Sequence, residues 1–308
     1  SYRSQGIKIE GLGIFGSGKA NGKTGLLLRQ TANSTFPVKT TGLVSTNLVY
    51  LSEWTIGADG TSSTDSWYVN NSHFSECKTG LIGGSGQTFL NFTDFFRIDD
   101  YGFILNSAND PDIVNGCEVE TRFCSQAAAL INGRAIITAT QFLTNKKSII
   151  FSATANTSIV SNNHFHINSD TAITLLSGAN DIQISGNNFH ADYSGTIYNY
   201  DYVIEPLNVA SNFISASGNR VQINGNYFRK QNSLYTGNPV LIDNSTISAV
   251  GNTFSGFTFT NEKQFTYTGT NVKLDNYNIA NTETVGNSVI GGNNTVTGNS
   301  VIGGNNTV

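Results

Sequence analysis

The chain predicts an all-β fold wound as a parallel β-helix with three strands per turn, and three observations carry that expectation. The first is a motif: an aliphatic residue, four mostly small or polar residues, then a large apolar one, clearest as Ile184-Ser185-Gly186-Asn187-Asn188-Phe189. It recurs at roughly twenty-residue intervals, which is a solenoid period. The second is alternation before the turn, Ile182 with Ile184 and Val221 with Ile223, followed by Gly-Asn. Alternation is strand periodicity, and Gly and Asn tolerate left-handed backbone angles. The third is another apolar run after most copies, such as Gly80-Leu81-Ile82, Gly102-Phe103-Ile104-Leu105 and Ser148-Ile149-Ile150-Phe151, which supplies a third strand.

In chain order the copies read Ile9/Ile14, Val49/Trp54, Val69/Phe74, Leu90/Phe95, Ile137/Phe142, Val160/Phe165, Ile184/Phe189, Ile223/Phe228, Ala249/Phe254 and Leu274/Ile279. An irregular copy ends at Phe123. One rung cannot bury its apolar face alone, so about eleven rungs stacked about 4.8 Å apart should align the phenylalanines in an internal column and the asparagines in a hydrogen-bonded ladder. Residues 1–280 form this helix, and 281–308 are a tail of different period, in which Gly286-Asn287-Ser288-Val289-Ile290-Gly291-Gly292-Asn293-Asn294 returns as Gly298-Asn299-Ser300-Val301-Ile302-Gly303-Gly304-Asn305-Asn306. So thin a strip buries little alone, which makes self-association the economical solution. A repeat that stops partway through a copy implies a piece of a longer protein.

Several stretches depart from the repeat. Gly16-Ser17-Gly18-Lys19 has a weak likeness to a phosphate-binding loop, but no helical pattern follows and a Gly-rich turn suffices. The polar run 57–65 reads as an excursion, with Trp54 inward and Trp67 partly exposed, placed to stack on a sugar ring. In the Phe123 copy a strict count puts Glu118 where other copies are apolar, and burying an unpaired carboxylate is costly. A shorter turn places Val119 inward and turns Glu118 and Glu120 out. Residues just before the column (His73, Asp94, Arg122, Gln141, His164, Asn188) should then stack outside, bringing Asp94 near Glu118, Glu120 and Arg122. An ordinary solvated charge ladder explains the same pattern. A rival site is the insertion with Tyr193, Tyr198, Tyr200 and Tyr202 beside Asp192, Asp201 and Glu205, which a subunit contact would explain equally.

The Gly-Asn-x-Phe turns resemble those of the right-handed pectin-lyase-like β-helix over about residues 6–280. Within that superfamily the Asn-rich, Met-free chain with a repetitive tail is most similar to a bacteriophage tailspike or appendage protein. That resemblance implies a homotrimer on a virion tail, acting outside the cell, that recognises a host surface polysaccharide and cleaves it as an endo-glycosidase. Glycoside hydrolysis needs two carboxylates. Carried to this chain, it points to Asp94, Glu118 and Glu120 as catalytic and to Trp67, Arg122, Tyr193, Tyr198, Tyr200 and Tyr202 as substrate-binding. Of the polygalacturonase motifs (Asn-Thr-Asp, Asp-Asp, Gly-His-Gly, Arg-Ile-Lys) only Asp99-Asp100 is present, and pectate-lyase calcium and arginine signatures are missing, which disfavours a pectinase. A non-catalytic glycan-binding fibre and a structural stalk are the alternatives.

Composition narrows the field further. Charged residues are 12% of the chain and the net charge is -4, which offers no basic patch for nucleic acid. Cys77, Cys117 and Cys124 are an odd set without metal-ligand spacing and read as reduced structural thiols. No metal or cofactor is expected. No run approaches the roughly twenty apolar residues of a membrane helix.

Overall fold

The computed structural model describes residues 7–28, 43–61, 66–121, 126–168, 171–191, 197–199, 202–204, 213–217, 219–230, 240–243, 247–255, 265–268, 272–277, 282–285, 288–291, 295–297 and 300–303. The chain is an all-β parallel β-solenoid, consistent with a right-handed β-helix. Strands of successive turns pair in parallel on three faces. A 20-stranded sheet covers the first two, because Leu43–Ser52 and Ile247–Ser255 run through the corner between them and pair on both sides. A 12-stranded sheet forms the third.

Pairing register shows why the motif exists. On the first face Val69, Leu90, Val114, Ile137, Val160, Ile184 and Ile223 lie opposite one another in turn. On the second, Phe74 pairs with Phe95, Phe95 with Val119, Val119 with Phe142, and the run continues through Phe165, Phe189 and Phe228 to Phe254. Rings of neighbouring phenylalanines stack 4.7 to 5.1 Å apart, as in Phe165 on Phe189 and Phe74 on Phe95. The opposite wall makes room for them. A Cβ on Gly57 or Gly80 would meet the Phe74 or Phe95 ring at 2.9 and 2.7 Å, so the third face carries small residues there. Residues 57–59, expected to begin an excursion, therefore belong to a strand of the third face, Ile56–Asp59, with Gly57 and Ala58 buried.

Two rungs have a different register from the expected one. The second is Thr46/Leu51, not Val49/Trp54: Thr46 pairs with Ile9 and Val69, and Leu51 with Ile14 and Phe74. Trp54 instead sits half-buried at the next corner, donating from Nε1 to the Ile14 carbonyl at 3.2 Å. The rung assigned to Phe123 is Val114/Val119 and perfectly regular, since valine fills the column between two phenylalanines. Glu118 thus breaks no pattern. It occupies the ordinary outward position before the column, where Arg122 was placed; Arg122, Phe123 and Cys124 lie outside the described residues.

The corner between the first two faces holds the buried polar ladder. Asn163 donates from its backbone N–H and Nδ2 to Asn187 Oδ1, both at 3.0 Å, and from Nδ2 to the Ile137 carbonyl at 2.9 Å. Asn187 does the same to Asn226, and Asn226 to Asn252. Each buried amide satisfies backbone groups that the turn leaves over, which is what makes its burial tolerable. In earlier turns the same place is taken by Ser72, Thr93, Cys117 and Thr140, all buried. Burial pushes the Cys77 and Cys117 thiols up to about 11 and about 12, so both are inert structural groups.

Beyond Leu274 the solenoid continues. Strand Ser288–Gly291 pairs with Val272–Tyr277, and Ser300–Gly303 with Ser288–Gly291, so that Leu274, Ile290 and Ile302 prolong the first-face ladder. Thr282–Val285 and Thr295–Thr297 prolong the third face. The number of turns differs slightly from the expected eleven because the tail adds to the stack. No helix among the described residues is long and apolar enough to cross a membrane.

Candidate functional site

The outward side of the second face collects most of the chemistry. Strand alternation turns out the residues on either side of each inward column residue. Before the column these are Tyr50, His73, Asp94, Glu118, Gln141, His164, Asn188 and Tyr227 in pairing order. After it come Ser52, Ser75, Phe96, Glu120, Leu143, His166, His190 and Arg229. All four histidines of the chain are therefore on this surface.

At its N-terminal end lies a cleft lined by Phe15, Tyr50, Ser52, Glu53, His73, Ser75, Glu76 and Phe96. Its aromatic side chains form a continuous strip. Phe15 leans on Tyr50 at 5.3 Å, Tyr50 stacks on His73 at 5.0 Å with planes 9° apart, and His73 tilts against Phe96 at 6.4 Å. Phe15, Tyr50 and Phe96 are exposed, an arrangement that costs apolar hydration unless a flat apolar surface covers it. Tyr50 Oη and Ser75 Oγ share a hydrogen bond of 3.0 Å, and Ser75 Oγ donates to Ser52 Oγ at 3.1 Å, which fixes the floor.

Carboxylates frame the strip on both sides. Along the corner, Glu53 and Glu76 occupy equivalent places one turn apart, both with left-handed backbone (φ 65° and 52°). Glu76 is held by Lys19 Nζ at 3.5 Å and Arg97 Nη1 at 3.3 Å, while Arg97 lies over the Phe96 ring at 5.0 Å. Lys19, from the Gly-Ser-Gly-Lys turn, also donates to Asp99 at 2.7 Å. Its role is thus to tie the first turn across the cleft to later ones. On the other side Asp94 lies 3.7 Å from His73 Nδ1 and pairs through its backbone with Glu118, and Glu120 pairs with Phe96. Asp94 and Glu118 are exposed, Glu120 half-buried.

The three expected catalytic carboxylates accordingly share one surface, beside an aromatic cleft the sequence reading did not find. Tyr50 and Glu53 were missed because the second rung was placed three residues out of register; Phe15 and Phe96 were legible as the outward residues after Ile14 and Phe95. The expectation for Trp67 is overturned. Trp67 is fully buried, on the inward side of a strand in which Val69 is also inward, and it pairs with Val44 and Thr88. Its Nε1 has no partner among the described residues. Tyr193 and Tyr200 lie outside the described residues, as do Asp192, Asp201 and Glu205. The backbones at Tyr198 and Tyr202 belong to an antiparallel pair, Ile197–Asn199 with Tyr202–Ile204, rather than an irregular loop; their side chains lie outside what is described.

A second cleft, on the outer side of the first face, is lined by Ile159, Asp181, Gln183, Arg220, Gln222 and Ser248 among others. Its charged feature is a bidentate pair, Arg220 to Asp181, with Nε to Oδ1 at 2.6 Å. No group of three or more His, Cys, Asp or Glu side chains among the described residues is arranged to hold a metal ion.

No family model matches the chain, and no curated protein matches it. Solved structures that share its architecture include two of one enzyme. DFA-IIIase from Arthrobacter chlorophenolicus A6, without its lid, superposes with a TM-score of 0.61 at 15% identity, over 83% of this chain and 67% of that one. A point mutant of the same enzyme in complex with DFA-III superposes with a TM-score of 0.54 at 14% identity, over 78% of this chain and 60% of that one. At such identities the likeness is one of fold: this chain is a parallel β-solenoid of the architecture those structures share.

Proposed function

We propose that the outer second face binds a polysaccharide and cleaves a glycosidic bond there, with Asp94, Glu118 and Glu120 supplying the acid and the base or nucleophile. The observation that carries this reading is the register that sets Asp94 opposite Glu118 alongside a cleft of exposed aromatic rings. Rings of this kind match the apolar faces of sugars, and a tyrosine adds a hydroxyl. Strand spacing of about 4.8 Å puts Asp94 and Glu118 near the roughly 5 Å separation of retaining glycosidases. Two residues along one strand span about 6.6 Å, which puts Glu118 and Glu120 near the inverting range. The fold is also that of a carbohydrate-active enzyme, DFA-IIIase, which supports a polysaccharide-related role.

The finer setting rests on the resemblance of the repeat: a phage tailspike-like homotrimer, a virion appendage acting outside the cell on a host surface glycan. Light scattering at micromolar concentration tests the trimer, and a monomer counts against the tailspike setting.

Reducing-end release from bacterial surface polysaccharides tests the cleavage. Asp94→Asn, Glu118→Gln and Glu120→Gln, made singly, should leave the melting temperature unchanged, and loss of the general acid or base should lower turnover about a hundredfold or more. If all three cleave like the parent while Glu53→Gln or Glu76→Gln does not, the chemistry belongs inside the aromatic cleft. Binding without release would make the protein a glycan-binding fibre.

A further inference from the structure

The same face changes character toward the C-terminus. Past Gln141 and Leu143, three consecutive strands present His164 and His166, then Asn188 and His190, then Tyr227 and Arg229. The rings are in mutual contact: His164 lies 4.8 Å from His190 edge-on and 5.7 Å from His166, and His166 lies 6.4 Å from His190. Tyr227 closes the group at 6.3 Å from His190. Three of the four histidines in a chain of net charge -4 are thus gathered with an arginine on one rigid surface, two to four turns from Glu118. At about 4.8 Å per turn that is roughly 10–20 Å along the solenoid axis. A chain lying along this face from the aromatic cleft would cross carboxylates first and imidazoles afterwards.

We propose that the His164–His166–His190–Arg229 surface is a subsite for an oxyanion carried by the bound glycan, either a carboxylate on the sugar or a sulfate or phosphate ester. This rests on the reading of the second face as a glycan-binding surface and adds the class of glycan: one charged at a position a few sugar residues from the carboxylates. The polarity follows from the chemistry. A guanidinium presents planar paired donors to an oxyanion, and imidazole N–H groups donate whether neutral or charged and attract it more when protonated. An anionic group placed instead against Asp94, Glu118 and Glu120 would be repelled, so the two ends of the face select the direction in which the chain lies. Among the described residues, the ionisable groups at the neighbouring outward positions of the paired strands are Arg229 and Tyr227; Gln141, Leu143 and Asn188 carry no charge.

Binding of the full chain to dextran, carboxymethyl-dextran and dextran sulfate, measured by calorimetry at pH 6, tests the proposal. The two anionic polymers should bind about tenfold or more tightly than dextran. The triple variant His166→Gln/His190→Gln/Arg229→Gln should lose the advantage with an unchanged melting temperature. Lys8→Gln, a basic residue far from the patch, should keep it. Equal affinity for charged and neutral polymers, no binding of either anionic polymer at pH 6, or a preference that survives the triple variant overturns the subsite. Preference for carboxymethyl-dextran over dextran sulfate, or the reverse, identifies the oxyanion. The two readings separate cleanly. Cleavage with no effect of the triple variant on the preference removes the subsite alone, and a patch-dependent preference without any cleavage removes the catalytic reading alone.

Discussion

The two halves of the solenoid solve the same corner differently. From Asn163 onward the corner is repetitive: buried asparagines hydrogen-bond from turn to turn, and the left-handed residue before each is Asn162, Gly186, Gly225 or Gly251, with φ between 56° and 67°. In the N-terminal half the buried place is Val49, Ser72, Thr93 or Cys117, and the left-handed residue before it is Leu48, Asn71, Phe92 or Gly116. Leu48 and Phe92 are exposed, in a conformation that a side chain with Cβ adopts at a cost of roughly 1 kcal/mol or more. That half also bears the aromatic cleft and the carboxylates. Regular repeats satisfy every local preference at once, and departures from them tend to fall where something other than stability was selected.

The largest expected effect is one that both halves share. Phe165→Ala removes a ring stacked on two neighbours, and should cost about 3–5 kcal/mol in chemical unfolding, as core aromatic truncations do. A cost below about 1 kcal/mol would mean the column does not bear the stack.

The corners themselves should differ more. Asn187→Ala strands two donors of Asn163 and the Val160 carbonyl, so a loss of about 2–4 kcal/mol is expected. Thr93 only donates from its hydroxyl, to Asn91 and Val69 carbonyls, and Thr93→Ala should cost about 1 kcal/mol. Equal costs would erase the distinction between the halves.

One buried carboxylate sharpens it. Asp112, in the N-terminal half, is fully buried and accepts from the Thr88 and Ser107 backbone N–H groups at 2.6 and 3.1 Å. Desolvation outweighs those bonds and raises it to about 7. Between the ordinary carboxylate range and pH 7 the folded chain therefore binds more protons than the unfolded one, and stability falls as pH rises through that window. The melting temperature should drop by a few degrees, about, from pH 5 to pH 8, and Asp112→Asn should flatten that slope. A slope unchanged in the variant would assign it to other groups.

The smallest effects have opposite signs. Gly186→Ala places a Cβ 2.8 Å from Asn162 Oδ1 at positive φ and should destabilise by about 1–2 kcal/mol. Leu48→Gly relieves the same conformation where the side chain is largely in solvent, and should stabilise by up to about 1 kcal/mol. Thermal unfolding of both reads the comparison directly.

The contrast also explains what could be read in advance. The C-terminal copies carry Gly-Asn-x-Phe, and a left-handed turn followed by an inward aromatic is legible from those residue types alone. The same inference failed at Thr46/Leu51 and Val114/Val119, because threonine stands where an aliphatic residue was sought and valine where an aromatic was. Any apolar residue that packs in the column is acceptable to the fold, so inward burial, not residue identity, is what register obeys. Trp67 was misread for want of extending the alternation two residues back from Val69. The shared face of Asp94, Glu118 and Glu120 followed from strand geometry, whereas the cleft beside it depends on the Gly-Ser-Gly-Lys turn folding back so that Lys19 reaches Asp99, a contact across 80 residues that no local pattern encodes.

The turn-to-turn bonding has a mechanical consequence. The parallel sheet hydrogen bonds that join successive turns point along the solenoid axis, so traction on the two ends of the stack loads one turn at a time and peels it, instead of shearing many bonds together. A peeled turn of twenty-odd residues pays out about 7–8 nm of chain, at roughly 3.5 Å per residue. The protein should therefore yield in small steps, one turn at a time, least readily where asparagines lock adjacent turns, so that the softer end of the stack is the one that carries the cleft.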